Sequence, residues 1–280
     1  MIPHRATLDV SRELARYLGR LLWQERRLRG TPRGSRALTC FRQATMVLRW
    51  FRGERDIPKL GRDHKVSRAT AYRYIDEGIA VLAAQAPDLH EALDRARDDG
   101  HAYVIMDGTL LPADRCAEQA ISVNGEPIDL WFSGKAHRHA GNIQALSSPT
   151  GLPLWVSGVE PGSVHDLTAA RARARALGAL YAAAAQGLPT LADGGYEGAG
   201  IGVLTPIKNP ANGQTLSIGN RTYNRLLRGL RCLGERGFAL LKGRWRVLQH
   251  ITASPSRIGD ITRAALVLTH FEHSHLPETR

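Results

Sequence analysis

The chain has 280 residues, 43% of them hydrophobic, and a formal net charge of +12. That length and apolar share allow two ordinary domains with a real core and exclude a disordered chain. No apolar run approaches the about 18 residues a membrane span needs, and an excess of Lys and Arg favours a polyanionic partner, whose counterions these side chains displace.

Further exclusions come from cysteine usage and the first residues. Cys40, Cys116 and Cys232 are scattered without a C-x-x-C pair, so neither a disulfide framework nor a cysteine zinc site is indicated. "MIPHRATLDV" lacks the apolar core of a signal peptide. An intracellular, reducing compartment is expected.

In chain order, helical periodicity dominates up to about residue 100. Residues 7–29 read as a basic helix and "FRQATMVLRWF" (41–51) as a second. Residues 56–85 read as helix, tight turn and longer helix. Ser67 is the expected N-cap, with Ala71, Ile75, Ile79 and Leu82 inward at helical spacing. The first turn then offers Ser67, Arg68, Thr70, Tyr72 and Arg73. A helix-turn-helix uses such side chains to meet base edges and phosphates; an ordinary helical hairpin with a charged face would look the same.

Beyond residue 100 the pattern is β-rich. "AYVIMDGT" (102–109) reads as a buried strand ending in acid plus glycine, and "PIDLWFSG" (127–134) as a second strand. Residues 142–163 hold two runs around "SPTG", a hairpin signal. A helix follows, capped by Ser163 or Asp166 and closed by Gly187. "PTLADGGYEG" (189–198) repeats the strand-acid-glycine pattern, "GIGVLTPIK" (200–208) is another strand, and a basic segment runs from about 221 to 250. The expectation is an α/β domain over residues 100–280, a mixed sheet with helices packed on it, after a helical domain over 1–99.

Three acids stand out. Asp107 and Asp193 end strands beside glycines, where a hard cation could be held, although Asp-Gly also simply makes turns. Glu235 is the only acid between Tyr223 and Arg246. At helical spacing it shares a stripe with Arg228, Arg231, Lys242 and Arg246, bordering the apolar Leu227, Leu230, Phe238, Leu241 and Trp245. It could instead merely pair with Arg231 or Arg228. Gly229, Gly234, Gly237 and Gly243 imply close packing or a break. Three carboxylates from two strand ends and one helix suit a pair of Mg²⁺ or Mn²⁺ ions and phosphodiester cleavage. His137, His139 and His165 are weak zinc candidates without a cysteine partner.

"VIMDGT", "KAHRHAGNIQALSSPTGLPLWVSGVEPGSVHDLT", "LADGGYEG" and "LGERGFALLKGRWRVL", in that order, resemble the catalytic domain of DDE-superfamily transposases, in the Harbinger-like and insertion-sequence-five group. The resemblance covers roughly residues 100–272. It implies an RNase H-like fold, two divalent metal ions, and cleavage of DNA strands at element ends followed by transfer. The family's acids, on its first strand, fourth strand and a late helix, match Asp107, Asp193 and Glu235, as metal ligands and catalytic residues. Asp166 is the rival second acid or a possible further metal neighbour. Lys135, Arg138, His139, Arg231, Lys242, Arg244 and Arg246 would contact DNA. The implied partners are terminal inverted repeats and target DNA, with a homodimer or larger assembly on DNA in a bacterial, nucleoid-associated cytoplasmic setting. A DNA-binding regulator with an inactive domain of this type is the alternative.

Overall fold

The structure is a computed structural model and describes residues 8–121, 125–172, 176–210 and 214–275, the side chains of Ala172 and Glu235 excepted. Its elements are α1 (Arg12–Leu28), α2 (Cys40–Phe51), α3 (Ile57–His64), α4 (Arg68–Ala83), α5 (Leu89–Asp98), β1 (Val104–Pro112), β2 (Gln119–Ile121), β3 (Pro127–Asp129), β4 (Phe132–Ser133), β5 (Arg138–Ser147), β6 (Pro153–Val156), β7 (Glu160–Pro161), α6 (Asp166–Ala172), α7 (Ala176–Ala185), β8 (Thr190–Leu191), β9 (Val203–Leu204), α8 (Ile218–Arg244) and α9 (Ile258–Glu272). They form two units: residues 1–86 with 244–249 and 260–280, and residues 87–243 with 250–259. So α5 packs with the sheet although it precedes residue 100, and most of α9 belongs with the N-terminal helices.

The helical unit follows its caps and stripes. The helix expected from residue 7 starts at Arg12, because Ser11 accepts a hydrogen bond from the Leu14 N–H at 3.0 Å. Leu14, Leu18 and Leu22 are then fully buried. Between α3 and α4, Lys65 adopts a left-handed conformation (φ 58°), and Ser67 accepts from the Thr70 N–H at 3.2 Å. Ala71, Ile75, Ile79 and Leu82 face inward as their spacing predicts. A Cβ on Gly78 would stand 2.5 Å from Val47 Cγ2, so its glycine lets α4 lie directly on α2. Arg244 donates to Glu272 (2.7 Å from Nε) and to Asp9 (2.9 Å), and Trp245 Nε1 donates to Thr269 at 2.9 Å.

The second unit is built on β1. It pairs antiparallel with β5 from Ile105↔Ser147 to Pro112↔Ala140, and parallel with β8, which pairs parallel with β9. The other edge of β5 receives β4, β6 and β7. The main strands therefore lie in the order β6-β5-β1-β8-β9, a mixed sheet flanked by helices, as the RNase H-like expectation requires. Alternation along β1 and β5 sends Val104, Met106 and Leu146 to one face. There they pack with Leu89 and Leu93 of α5, Leu180 of α7, and Tyr196. Each fully buried Leu, Val or Met contributes about 1.5–3 kcal/mol.

The opposite face, carrying Ile105, Asp107 and Thr109, is covered by α8. The helix is continuous through its glycines. A Cβ on Gly234 would lie 2.5 Å from Ile105 Cγ2, and one on Gly237 2.5 Å from Ser147 Oγ. Close approach, not a break, explains these two. Leu227, Phe238 and Leu241 are buried, but Leu230 is exposed, and α8 ends before Trp245 and Arg246.

Other expectations change. β1 does not stop at Asp107-Gly108 but runs to Pro112, because Gly108 pairs with Gln144 inside the ladder. The strand expected over 127–134 divides into β3 and β4, and β3 forms a separate ribbon with β2. Both are only two or three residues long, and their exposed Ile128 and Phe132 do not alternate into the main core. The helix after Ser163 begins at Asp166; α7 ends before Gly187 (φ 89°), and residues 173–175 lie outside the described residues. No helix among the described residues is long and apolar enough to cross a membrane.

Candidate catalytic site

The parallel register of β1 and β8 places two acids together. Val104 lies opposite Thr190 and Ile105 opposite Leu191, a constant offset of 86 residues. Asp107 and Asp193 are also 86 apart. Asp193 keeps extended backbone angles (φ −82°, ψ 179°), so the register carried two residues past the last pair brings these acids level. Both follow their paired residues by two, which sends both side chains toward the face covered by α8. Asp193 accepts from the Gly195 N–H at 2.8 Å and so fixes the short turn Gly194–Tyr196.

Asp166 reaches the same strand ends from the core face. Its Oδ1 accepts from Asn142 Nδ2 at 2.9 Å and from Gln144 Nε2 at 3.3 Å. Asn142 Nδ2 also donates to the Val164 carbonyl at 3.0 Å, and Gln144 Nε2 to Asn142 Oδ1 at 2.9 Å. The Tyr196 hydroxyl donates to Gln144 Oε1. The chain of bonds thus ties Asp166, through β5, to the turn that Asp193 caps. Gly108 makes room for it: a Cβ there would stand 2.5 Å from Asp166 Oδ1. Asp166 is therefore the first residue of α6, held by side-chain amides, and does not act as the cap of that helix. Asn142, Gln144, Tyr196 and Gly108 escaped the sequence reading. Polar residues alternating on a buried strand in "NIQ" were the available signal.

Electrostatics join the three acids. Burial pushes the Asp107 carboxyl up to about 6; Asp193 and Asp166 add to the rise, while Arg231 and the Gly108 N–H, at 3.0 Å, oppose it. Burial and the same three carboxylates raise the Tyr196 hydroxyl far above its usual range, so it remains a donor. Arg231, on α8, is half-buried, and its buried Nε–H has no acceptor among the described residues. Lys242 donates to Thr109 Oγ1 at 2.6 Å; burial lowers its pKa, with Asp107 partly offsetting this. Gly234 on Ile105 and Lys242 on Thr109 carry the α8 backbone across the strand on either side of Asp107. The Glu235 side chain lies outside the described residues.

The family model described as DDE superfamily endonuclease matches residues 106–270, more than half of the chain. The chain belongs to the DDE superfamily of endonucleases. Neither a curated protein nor a solved structure matches it. Endonucleases of this superfamily act on DNA and generally use divalent metals. The residues of this DDE domain fit such an ion. Asp107 and Asp193 are hard oxygen donors on one face, and Asp107 is a desolvated carboxyl whose ionisation calls for positive charge. Among the described residues no three His, Cys, Asp or Glu side chains close into a metal-ligand group.

The residues expected to touch DNA divide. Arg68, Tyr72 and Arg73 are exposed at the start of α4, with Arg68 stacked 5.8 Å over Tyr72, and Arg73 donating to Thr70 at 3.2 Å. Lys135 lines a cavity of about 480 Å³ with Gly108, Ser133, His165 and Asp166 of the DDE domain. Arg138 is exposed. His139 is half-buried, with Nε2 3.0 Å from Asp129 Oδ2, which occupies it within the protein. Arg244 is paired with Glu272 and Asp9 rather than presented as a free cation. Arg246 is exposed beyond the end of α8.

Proposed function

We propose that this DDE endonuclease is an insertion-sequence transposase that cuts DNA at element ends and joins the freed 3′ end to target DNA. The observation that carries the reading is the parallel register of β1 with β8, which leads to Asp107 on one strand and to Asp193 two residues beyond the other, together with the charge interaction between these two acids. Asp107, Asp193 and Glu235 would hold two Mg²⁺ or Mn²⁺ ions, with Asp166 a neighbour fixed by Asn142 and Gln144. A bound ion pair supplies neutralising charge at the attacking and leaving oxygens of an in-line displacement. The protein's own contribution is to hold the Asp107 carboxyl mostly out of water, with Arg231 and Lys242 balancing its charge. The turn between α3 and α4 supports a helix-turn-helix reading of that pair, with Ser67, Arg68, Thr70, Tyr72 and Arg73 on duplex DNA. Pairing of two element ends would call for a dimer or larger assembly.

Asp107→Asn tests this reading. It is expected to abolish Mg²⁺-dependent nicking of a duplex bearing the element's terminal repeats, while leaving binding of that duplex intact. Nicking at the wild-type rate by this variant would refute the assignment.

A further inference from the structure

The helical unit holds a second basic site, apart from the α3–α4 pair. A cleft of about 540 Å³ opens between the end of α1 and the segment leading into α2. Trp23, Arg26, Arg27, Arg33 and Arg36 line it, and no carboxylate does. The two acids nearest in sequence or contact are already engaged. Glu25 pairs with Arg29 at 2.5 Å, and the buried Glu77 accepts from Arg36 at 2.5 Å and from Gln43 at 2.9 Å. Among the described residues Arg26 is held by neutral acceptors: the Leu38 carbonyl at 3.1 Å and Gln43 Oε1 at 2.6 Å. No carboxylate among the described residues pairs with it. The Nε–H groups of Arg26 and Arg36 are both buried without an acceptor among the described residues. Unsatisfied buried donors are rare in folded proteins, and the side chains that carry these two both line the cleft. Beside them the Trp23 indole is 52% exposed, with the Arg27 guanidinium 5.0 Å from the ring.

We infer that this cleft takes an unpaired nucleotide of a DNA strand, the phosphate among the guanidinium groups and the base against Trp23. Arginine clusters neutralise phosphates and form paired hydrogen bonds to them. A flat aromatic surface beside such a cluster adds base stacking, which a paired base buried in the duplex stack cannot offer. The two features together select a frayed or overhanging end over continuous duplex. The site is independent of the metal-binding acids.

The test uses the full chain carrying Asp107→Asn, without divalent metal, and fluorescence anisotropy of a labelled blunt duplex and the same duplex with a four-nucleotide overhang. The overhang is expected to bind more tightly, and Trp23→Ala to weaken overhang binding about ten-fold while leaving the blunt duplex little changed. Arg33→Ala, at an exposed position, should lower the slope of log affinity against log salt by about 1 on the overhang substrate. Both variants should melt at the parent temperature. Equal affinity for blunt and overhanging duplex, or equal weakening of both by Trp23→Ala, would overturn the inference. Failure of nicking by the otherwise wild-type chain would leave this binding result untouched, so the two proposals fail separately.

Discussion

Asp107 should make the metal-free protein less stable at neutral pH than a variant that cannot ionise there. In the folded chain its carboxyl sits at about 6 against an ordinary value of 3.8, chiefly through burial. Each unit of difference corresponds to about 1.4 kcal/mol, so the displacement amounts to about 3 kcal/mol. The sign follows from proton binding. Below about pH 3.8 the side chain is protonated in both states and carries no penalty. Between 3.8 and 6 the unfolded chain has released the proton and the folded chain has not, so stability falls as pH rises; above 6 the full penalty persists. Asp107→Asn removes it, and the amide oxygen can still accept the Gly108 N–H now bound at 3.0 Å. Urea denaturation in EDTA should therefore show Asp107→Asn more stable than the wild type by about 3 kcal/mol at pH 8, with the gap closing near pH 4. Added Mg²⁺ should narrow the gap at pH 8 by stabilising only the wild type. A variant equally or less stable at pH 8 would refute the account of a desolvated, mutually repelled carboxyl.

Two further outcomes probe the scaffold around that carboxyl. Gly108→Ala should destabilise the fold by about 1–3 kcal/mol, because its Cβ would stand 2.5 Å from Asp166 Oδ1; in a double-mutant denaturation cycle, Asp166→Ala should recover most of that loss, and additive losses would contradict the contact. Tyr196→Phe keeps the ring in the core but leaves Gln144 Oε1 without its donor. It should cost about 1–3 kcal/mol in urea denaturation and slow nicking beyond what its melting temperature explains; an unchanged nicking rate at saturating metal would remove the network from the site's positioning.

Much of the helical unit was legible because its signals are local. The spacing of Ala71, Ile75, Ile79 and Leu82 and the Ser67 hydroxyl reveal α4 within a single window, and the structure keeps both. The strands were less legible where pairing, not pattern, defines them. β1 passes through Gly108, a residue that normally weakens a strand, because Gln144 pairs with it and Asp166 fills the space a side chain would take. Arg244 and His139 look free to meet DNA in sequence; their partners, Glu272 with Asp9 and Asp129, are remote for Arg244 and ten residues away for His139.

The sequence by itself determined the alternation of elements and the positive charge, since composition, periodicity and capping act over a few residues. It also contained the 86-residue interval between Asp107 and Asp193, but as a bare number. Only the parallel pairing of β1 with β8 turned that interval into proximity, because strand register converts equal offsets into equal heights. Tertiary packing likewise decided that Asp166 is bound by Asn142 and Gln144 and that α8 rests on β1 through Gly234, contacts between segments that no local pattern couples.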